Sequence, residues 1–277
     1  MVTGSTMGIG VEFAWQLAGT GHDLVLVSRD EARLEVVAQQ IRHLHDVDIQ
    51  TIAADLSDRS QLDQVARRLT DPVDPVSLLV NNPGAAIRGG FLATPVEDHE
   101  RELDAVMRSV LVLCHAAASA MAHRRRGAII NVSSLAGYGV QGAASATKSW
   151  VTVFTEVLAV ELEGTGVTAT ALLPGFVHGA SGRAGAARGA DGLPRITWQK
   201  SPFVVEQALR DAAKGKVLSI PAIKYTGSPG ATPSLARRIA RSVTSVRFRR
   251  AFVERRLTDA RRRASKRRLQ APWQGDD

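Results

Sequence analysis

The chain has 277 residues, with 35 Lys+Arg against 27 Asp+Glu for a net charge of +8, and 44% of it is hydrophobic. That composition excludes wholesale disorder, and the length suits one large domain or two small ones with a sizeable buried core. The single cysteine, Cys114, excludes an internal disulfide framework and any multi-cysteine zinc site.

The first feature along the chain is a glycine-rich turn, Thr3-Gly4-Ser5-Thr6-Met7-Gly8-Ile9-Gly10, leading into a helical pattern through Leu17. Leu24–Val27 is a short, wholly apolar run and predicts a buried parallel strand. Helical periodicity resumes at Leu34, Val37 and Ile41, and a strand is expected at Ile49–Ala53. A helix follows at Arg59–Leu69, then a strand at Val76–Val80 that runs into the turn Asn81-Asn82-Pro83-Gly84. A long helix is predicted over Pro95–His123, a strand at Ala128–Val132, a helix at Ser145–Glu163 and a strand at Val167–Leu173. Pro202–Ile220 reads as a last helix and strand. Strands alternating with helices in this way predict an α/β fold, a Rossmann-type doubly wound parallel sheet in a single domain over residues 1–233. Between these elements, the Gly/Ala-rich stretch Gly179–Gly192 reads as a mobile flap or a disordered surface loop. No run approaches eighteen uninterrupted apolar residues, so no transmembrane helix is expected, and no signal peptide is read.

The glycine turn lies where a backbone can approach a pyrophosphate, with the N-terminus of the following helix facing the negative charge. Gly4, Gly8 and Gly10 are spaced G-x-x-x-G-x-G. With Asp55-Leu56, Asn81-Asn82-Pro83-Gly84, Asn131-Val132-Ser133-Ser134, Ser145-Ala146-Thr147-Lys148 and Pro174-Gly175 downstream in this order, the chain resembles the short-chain dehydrogenase/reductase family over roughly residues 2–225. The resemblance implies that Gly4, Ser5, Gly8, Ile9 and Gly10 hold a dinucleotide, with Asp55 and Leu56 at its adenine. Asn82 and Gly84 would line it, with Pro174, Gly175 and Val177 bordering the nicotinamide. In family members several apolar residues precede the turn as a first strand. Only Met1-Val2 stand here, so a truncated central strand with exposed neighbouring edges, and a natural chain that begins upstream, are expected.

Cofactor choice follows from charge. An acid after the second strand would hydrogen-bond the ribose of NAD and repel a 2′-phosphate, whereas this chain has Ser28-Arg29 there. A guanidinium suits a phosphate, so NADP(H) is expected over NAD(H).

The family pattern also implies a catalytic Ser, Tyr and Lys, often with an Asn on the long helix. A phenol with an ordinary pKa near ~10 needs a neighbouring ammonium to work at neutral pH. Ser134 and Lys148 match, and Lys148 would also hold the nicotinamide ribose. The tyrosine position is Ala144, the asparagine position is Val106, and the interval between Ser134 and position 144 is shorter than the family pattern. Tyr138 is the nearby phenol and the remaining catalytic candidate. Water held by Ser134 and Lys148 is the other source of a proton. The histidines show no metal-ligand pairing, and no metal is expected.

The tail has a different charge. Ser234–Gln270 holds 14 Lys+Arg and 2 acids, whereas residues 1–233 hold 21 Lys+Arg and 23 acids. The excess positive charge therefore belongs to residues 234–277. Leu235, Ile239, Val243 and Val246 share one helical face opposite Arg237, Arg238 and Arg241. Such a helix fits an anionic membrane surface, a solvated cap on the domain, a disordered end, or nucleic-acid phosphates without sequence readout; no nucleic-acid-binding motif supports the last.

These features lead to one expectation and two rivals. The expectation is a cytoplasmic oxidoreductase, peripheral to a membrane if the tail engages one. It would move hydride between NADPH and a carbonyl or alcohol on an apolar, lipid-like or ketoacyl substrate, and the resemblance implies a homo-oligomer paired through the long helices. The rivals are an NADPH-binding pseudoenzyme and an anionic-surface-binding protein built on the same fold.

Overall fold

Each apolar run flanked by helical periodicity becomes a parallel strand, and together the strands form a seven-stranded sheet. In the computed structural model, which describes residues 1–84, 91–138, 143–177 and 198–221, the chain order is β1 (Val2–Thr3), α1 (Gly8–Gly19), β2 (Leu24–Ser28), α2 (Glu31–Leu44), β3 (Ile49–Ala53), α3 (Arg59–Leu69) and β4 (Leu78–Asn81). The second half adds α4 (Val96–Leu103), a π-helical turn (Asp104–Arg108), α5 (Ser109–Arg124), β5 (Gly127–Val132), α6 (Ala143–Glu161), β6 (Val167–Leu172), α7 (Ser201–Ala213) and β9 (Leu218–Ser219). A two-stranded pair, β7 (Phe176–Val177) with β8 (Trp198–Gln199), stands apart.

The strand order is β3-β2-β1-β4-β5-β6-β9, and every pair in it is parallel. This is a single doubly wound domain. Its order reverses between β1 and β4, the switch point outside whose strand ends ligands bind in sheets of this kind. One helical layer, α3 and α5, covers a core of Val27, Leu62, Leu79, Leu113, Met121 and Ile129. On the other face α1, α2 and α7 pack over Val2, Phe13, Leu26, Leu34, Val80, Ile130 and Val205.

The first strand is as short as the sequence suggests, yet it closes the sheet. Val2 pairs with Leu26 on one side and Val80 on the other. Met1 extends the join, its carbonyl accepting from the Val80 amide at 2.9 Å and its amino group donating to the Leu78 carbonyl at 2.7 Å. The exposed edges expected from a truncated strand are therefore filled beside that switch point.

The long helix also departs from its sequence reading. The π turn joins α4 and α5 into one rod, Val96–Arg124, of 29 residues, long and apolar enough by composition to cross a membrane. Its Val110, Leu113, Cys114, Ala117 and Met121 lie in the sheet's core, which explains the apolarity without a bilayer. The Gly179–Gly192 flap and the tail at 234–277 lie outside the described residues.

Candidate active site

α2 and α3 begin with aspartate caps: Asp30 accepts from the Arg33 amide and Asp58 from the Gln61 amide, each at 3.0 Å. α1 has no such cap, for Met7 supplies no side-chain acceptor. Its first-turn N–H groups are thus left to meet an anion, in keeping with the glycine turn before them. The turn itself is held rigidly from beneath. Ser5 is fully buried, and its Oγ donates to the Val27 carbonyl at 3.3 Å, while the Thr6 and Ser28 hydroxyls meet at 3.0 Å.

The glycines are needed for two distinct reasons. Gly4 and Gly8 have φ of 61° and 58°, in the left-handed region. A Cβ on Gly10 would lie 2.1 Å from the Gly4 carbonyl oxygen and 2.7 Å from Asn82 Nδ2. The resulting turn, with glycine at three of its positions and an uncapped helix behind it, fits a dinucleotide's pyrophosphate. Ser5 and Ile9 are buried, so only their backbone is placed to face the turn.

Asn82 ties this turn to the rest of the site. Its Nδ2 donates to the Gly4 carbonyl at 3.2 Å, and its amide donates to Thr3 Oγ1 at 2.9 Å. The neighbouring Pro83 carbonyl accepts from Lys148 Nζ at 3.4 Å. Gly84 is exposed just beyond. After β3, Asp55 is held by the Ser57 amide and hydroxyl at 2.9 and 2.7 Å. Arg29 leans toward it, Nη1 standing 3.9 Å from Oδ2 with its side chain still 76% exposed. Leu56 packs beneath, against the core. After β6, Pro174 is buried, its carbonyl accepting from the Leu135 amide at 3.1 Å. The Gly175 amide donates to Gln199 Oε1 at 3.2 Å, and Val177 is buried in β7.

Ser134 follows β5 and Lys148 lies on α6, and the chain between them folds back on the helix. A Cβ on Gly137 would lie 2.9 Å from the Ser149 amide nitrogen and 3.0 Å from the Lys148 carbonyl carbon, and Ser149 Oγ donates to the Gly137 carbonyl at 2.8 Å. Ser133, a residue that sequence reasoning passed over, donates its hydroxyl to the Lys148 carbonyl at 2.7 Å and pairs with Thr152 at 2.7 Å. Ser134 Oγ accepts from the Ala136 amide at 3.1 Å. Lys148 Nζ donates to the Val132 carbonyl at 3.1 Å as well as to Pro83. Burial lowers its pKa to about 8, against a smaller upward effect of the Glu102 charge.

Ala144 lies one helical turn before Lys148 and on the same face, and it brings no proton donor there. Tyr138 is buried in a small cluster with Ala171 and Leu173, on the turn that packs against α6. Val106 is fully buried within the π turn. Glu102, another residue that sequence reasoning missed, is only 4% exposed. It lines a cavity of about 350 Å³ with Phe91, His99, Met107, Thr147 and Trp150.

Residues 1–187 match the short chain dehydrogenase family. The chain belongs to that family. Among characterised and uncharacterised short-chain dehydrogenases, it is 31% identical over 180 residues to an uncharacterized oxidoreductase of Staphylococcus saprophyticus, covering 64% of this chain and 77% of that one. It is 30% identical over 181 residues to the 3-oxoacyl-[acyl-carrier-protein] reductase of Aquifex aeolicus, covering 64% and 73%. In three dimensions it resembles a short-chain dehydrogenase from Sphingobium yanoikuyae solved in complex with NADPH, at a TM-score of 0.74 and 31% identity over 80% of this chain and 86% of that one. A bulky-bulky ketone specific alcohol dehydrogenase from Comamonas testosteroni gives 0.71 and 28%, over 80% and 85%.

Proposed function

We propose that the chain is an NADPH-dependent reductase of ketones on bulky, apolar substrates, with Lys148 and Ser134 as its catalytic residues. One observation carries the reading: the Asn82-Pro83 segment is bonded at one end to the phosphate turn and at the other to Lys148. The glycine turn and the ammonium therefore share one rim of the sheet, where a nicotinamide and a carbonyl would meet. The Aquifex relative's 3-oxoacyl substrate and the Comamonas enzyme's bulky ketones support the substrate class. The exposed Arg29 and the absence of an acid at that position support a 2′-phosphate.

Gly4, Gly8, Gly10 and Asn82 would hold NADPH, which would supply the hydride that reduces a carbonyl carbon. Ser134 would orient the carbonyl by hydrogen bonding its oxygen, and Lys148 would provide the positive charge and the proton, relayed through a water held by Ser134 and Lys148. Proton delivery without a positioned phenol is slower by about 10²–10⁴-fold. The exposed apolar Leu111, Val153, Val157 and Val160 on α5 and α6 support pairing with a second copy of the chain.

Ala144 favours a second reading, an NADPH-binding protein without turnover. Titration of the full chain with NADPH by fluorescence, followed by its oxidation with a panel of ketones, separates the two. Slow turnover that A144Y accelerates supports the reductase. Tight binding with no turnover, together with activity that appears only in A144Y, overturns it in favour of the pseudoenzyme. Turnover abolished by Tyr138→Phe would transfer the proton's source to Tyr138.

A further inference from the structure

Ser133 and Lys148 are tied twice, in opposite directions. Ser133 Oγ donates to the Lys148 carbonyl at 2.7 Å, and Lys148 Nζ donates to the carbonyl of Val132, the residue before Ser133, at 3.1 Å. One bond would let α6 pivot about it, whereas two from separate atoms fix orientation as well as distance. The Ser133 hydroxyl has a single proton, which the Lys148 carbonyl takes. Thr152 Oγ1 is therefore the donor in its 2.7 Å contact with Ser133 Oγ, and it also stands 3.2 Å from the Lys148 carbonyl. Ser133 and Thr152 are only 3% and 1% exposed, so these hydroxyls serve each other and the lysine backbone rather than a ligand. Beside this clasp, the Ser149 hydroxyl donates to the Gly137 carbonyl at 2.8 Å and seats the turn after β5 on the same stretch of α6.

We propose that Ser133, backed by Thr152, is a positioning residue, its hydroxyl setting the place of Lys148 relative to Ser134, the next residue in the chain. The inference rests on the reductase reading for its purpose, but the tie is measurable without turnover. Ser134 and Lys148 come from separate elements, and a misplacement of about 1 Å in a site costs about 10²-fold in rate. Side chains keep such a geometry where buried hydrogen bonds behind them fix it. Directly after β5, Ser133 supplies that bond to α6.

The test is NMR of the full chain labelled with 13C-lysine, without cofactor, at pH 6, where Lys148, with a pKa lowered by burial to about 8, keeps its proton. Lys148→Arg assigns the signal. Held between the Val132 and Pro83 carbonyls, the two ε protons of Lys148 have unequal surroundings and should give two shifts, where a lysine turning in solvent gives one. Ser133→Ala should lose that splitting, Thr152→Val should reduce it and Thr152→Ser should keep it. Thr155→Val is the control: Thr155 is buried on the same helix and bonded to Val151 and Asn131, so its loss loosens the core without touching Lys148. A single shift in the wild type, splitting retained in folded Ser133→Ala, or splitting lost equally in Thr155→Val would each overturn the proposal. If Ser133→Ala does not fold, Thr152→Val against Thr155→Val decides by the same comparison. Where a ketone is reduced, kcat should fall about tenfold or more in Ser133→Ala and hold in Thr155→Val, and an unchanged kcat in Ser133→Ala also overturns the role. Failure of every ketone to be reduced would count against the reductase alone, whereas the splitting decides the role of Ser133.

Discussion

Gly10→Ala tests the glycine turn where its geometry is least forgiving. The new methyl group would stand 2.1 Å from the Gly4 carbonyl oxygen, against the 3.4 Å at which ordinary contact begins, so that carbonyl must retreat by about 1.3 Å. It has no free direction in which to move. The same oxygen accepts from Asn82 Nδ2, which would itself be 2.7 Å from the methyl group. Overpacking of this kind costs about 1–3 kcal/mol. If binding must restore the original turn, the cost falls on the complex, and the NADPH dissociation constant rises about 5- to 150-fold. Fluorescence titration of NADPH measures it directly. Gly19→Ala is the control, because its methyl group would meet only His45 Cε1 at 3.7 Å. An unchanged dissociation constant in folded Gly10→Ala would refute the assignment of this turn as the phosphate site.

Further outcomes follow from other parts of the site. Arg29→Ala should weaken NADPH about tenfold or more while leaving NADH unchanged, as loss of a charge-assisted phosphate contact requires, and parallel titrations of the two cofactors check it. Lys148 titrates near 8 folded and near 10.5 unfolded, so below pH 8 its desolvation cost is fully present, and stability rises with pH as the folded protein loses the proton first. The full cost is about 3 kcal/mol, and urea midpoints between pH 8 and 9 should climb more steeply in the wild type than in Lys148→Met; above about pH 9 the upward-shifted Cys114 thiol adds a slope of opposite sign that offsets the climb. Val157→Glu should convert a dimer to a monomer by light scattering, since it places a charge in the exposed apolar stripe. Asn131→Ala removes partners of Asn81 and Thr155 in the core and should cost about 1–3 kcal/mol for each buried group left unpaired, read from denaturant midpoints.

The sheet was legible because its strands are continuous apolar runs and its helices carry clear 3.6-residue periodicity. Arg59–Leu69 and Ile49–Ala53 coincide with the elements observed, since each ends in a change of pattern that propensity alone specifies. The glycine turn between β1 and α1 was legible for a different reason: glycines at a strand-to-helix turn have few physical explanations. What escaped was set by tertiary contact. The π turn has no periodic signature in a segment that reads as one smooth helix. Glu102 looks like one more charge in Glu97–Glu102 until the fold turns it inward. Ser133 is masked by its neighbour Ser134, and only the approach of α6 shows which hydroxyl holds the Lys148 backbone. The β7–β8 pair joins segments too short to register as strands.

A last consequence concerns the lone cysteine. Cys114 is fully buried between the Asn81 and Asn131 side chains, at 3.3 and 3.4 Å, and burial pushes its thiol up to about 12. It lies where α5 meets the middle of the sheet, so an alkylating reagent reaches it only when those two layers part. With no second thiol in the chain to compete, the labelling rate is a clock for that parting. Run with and without NADPH, the clock would report how far a ligand on the rim locks the layers beneath it.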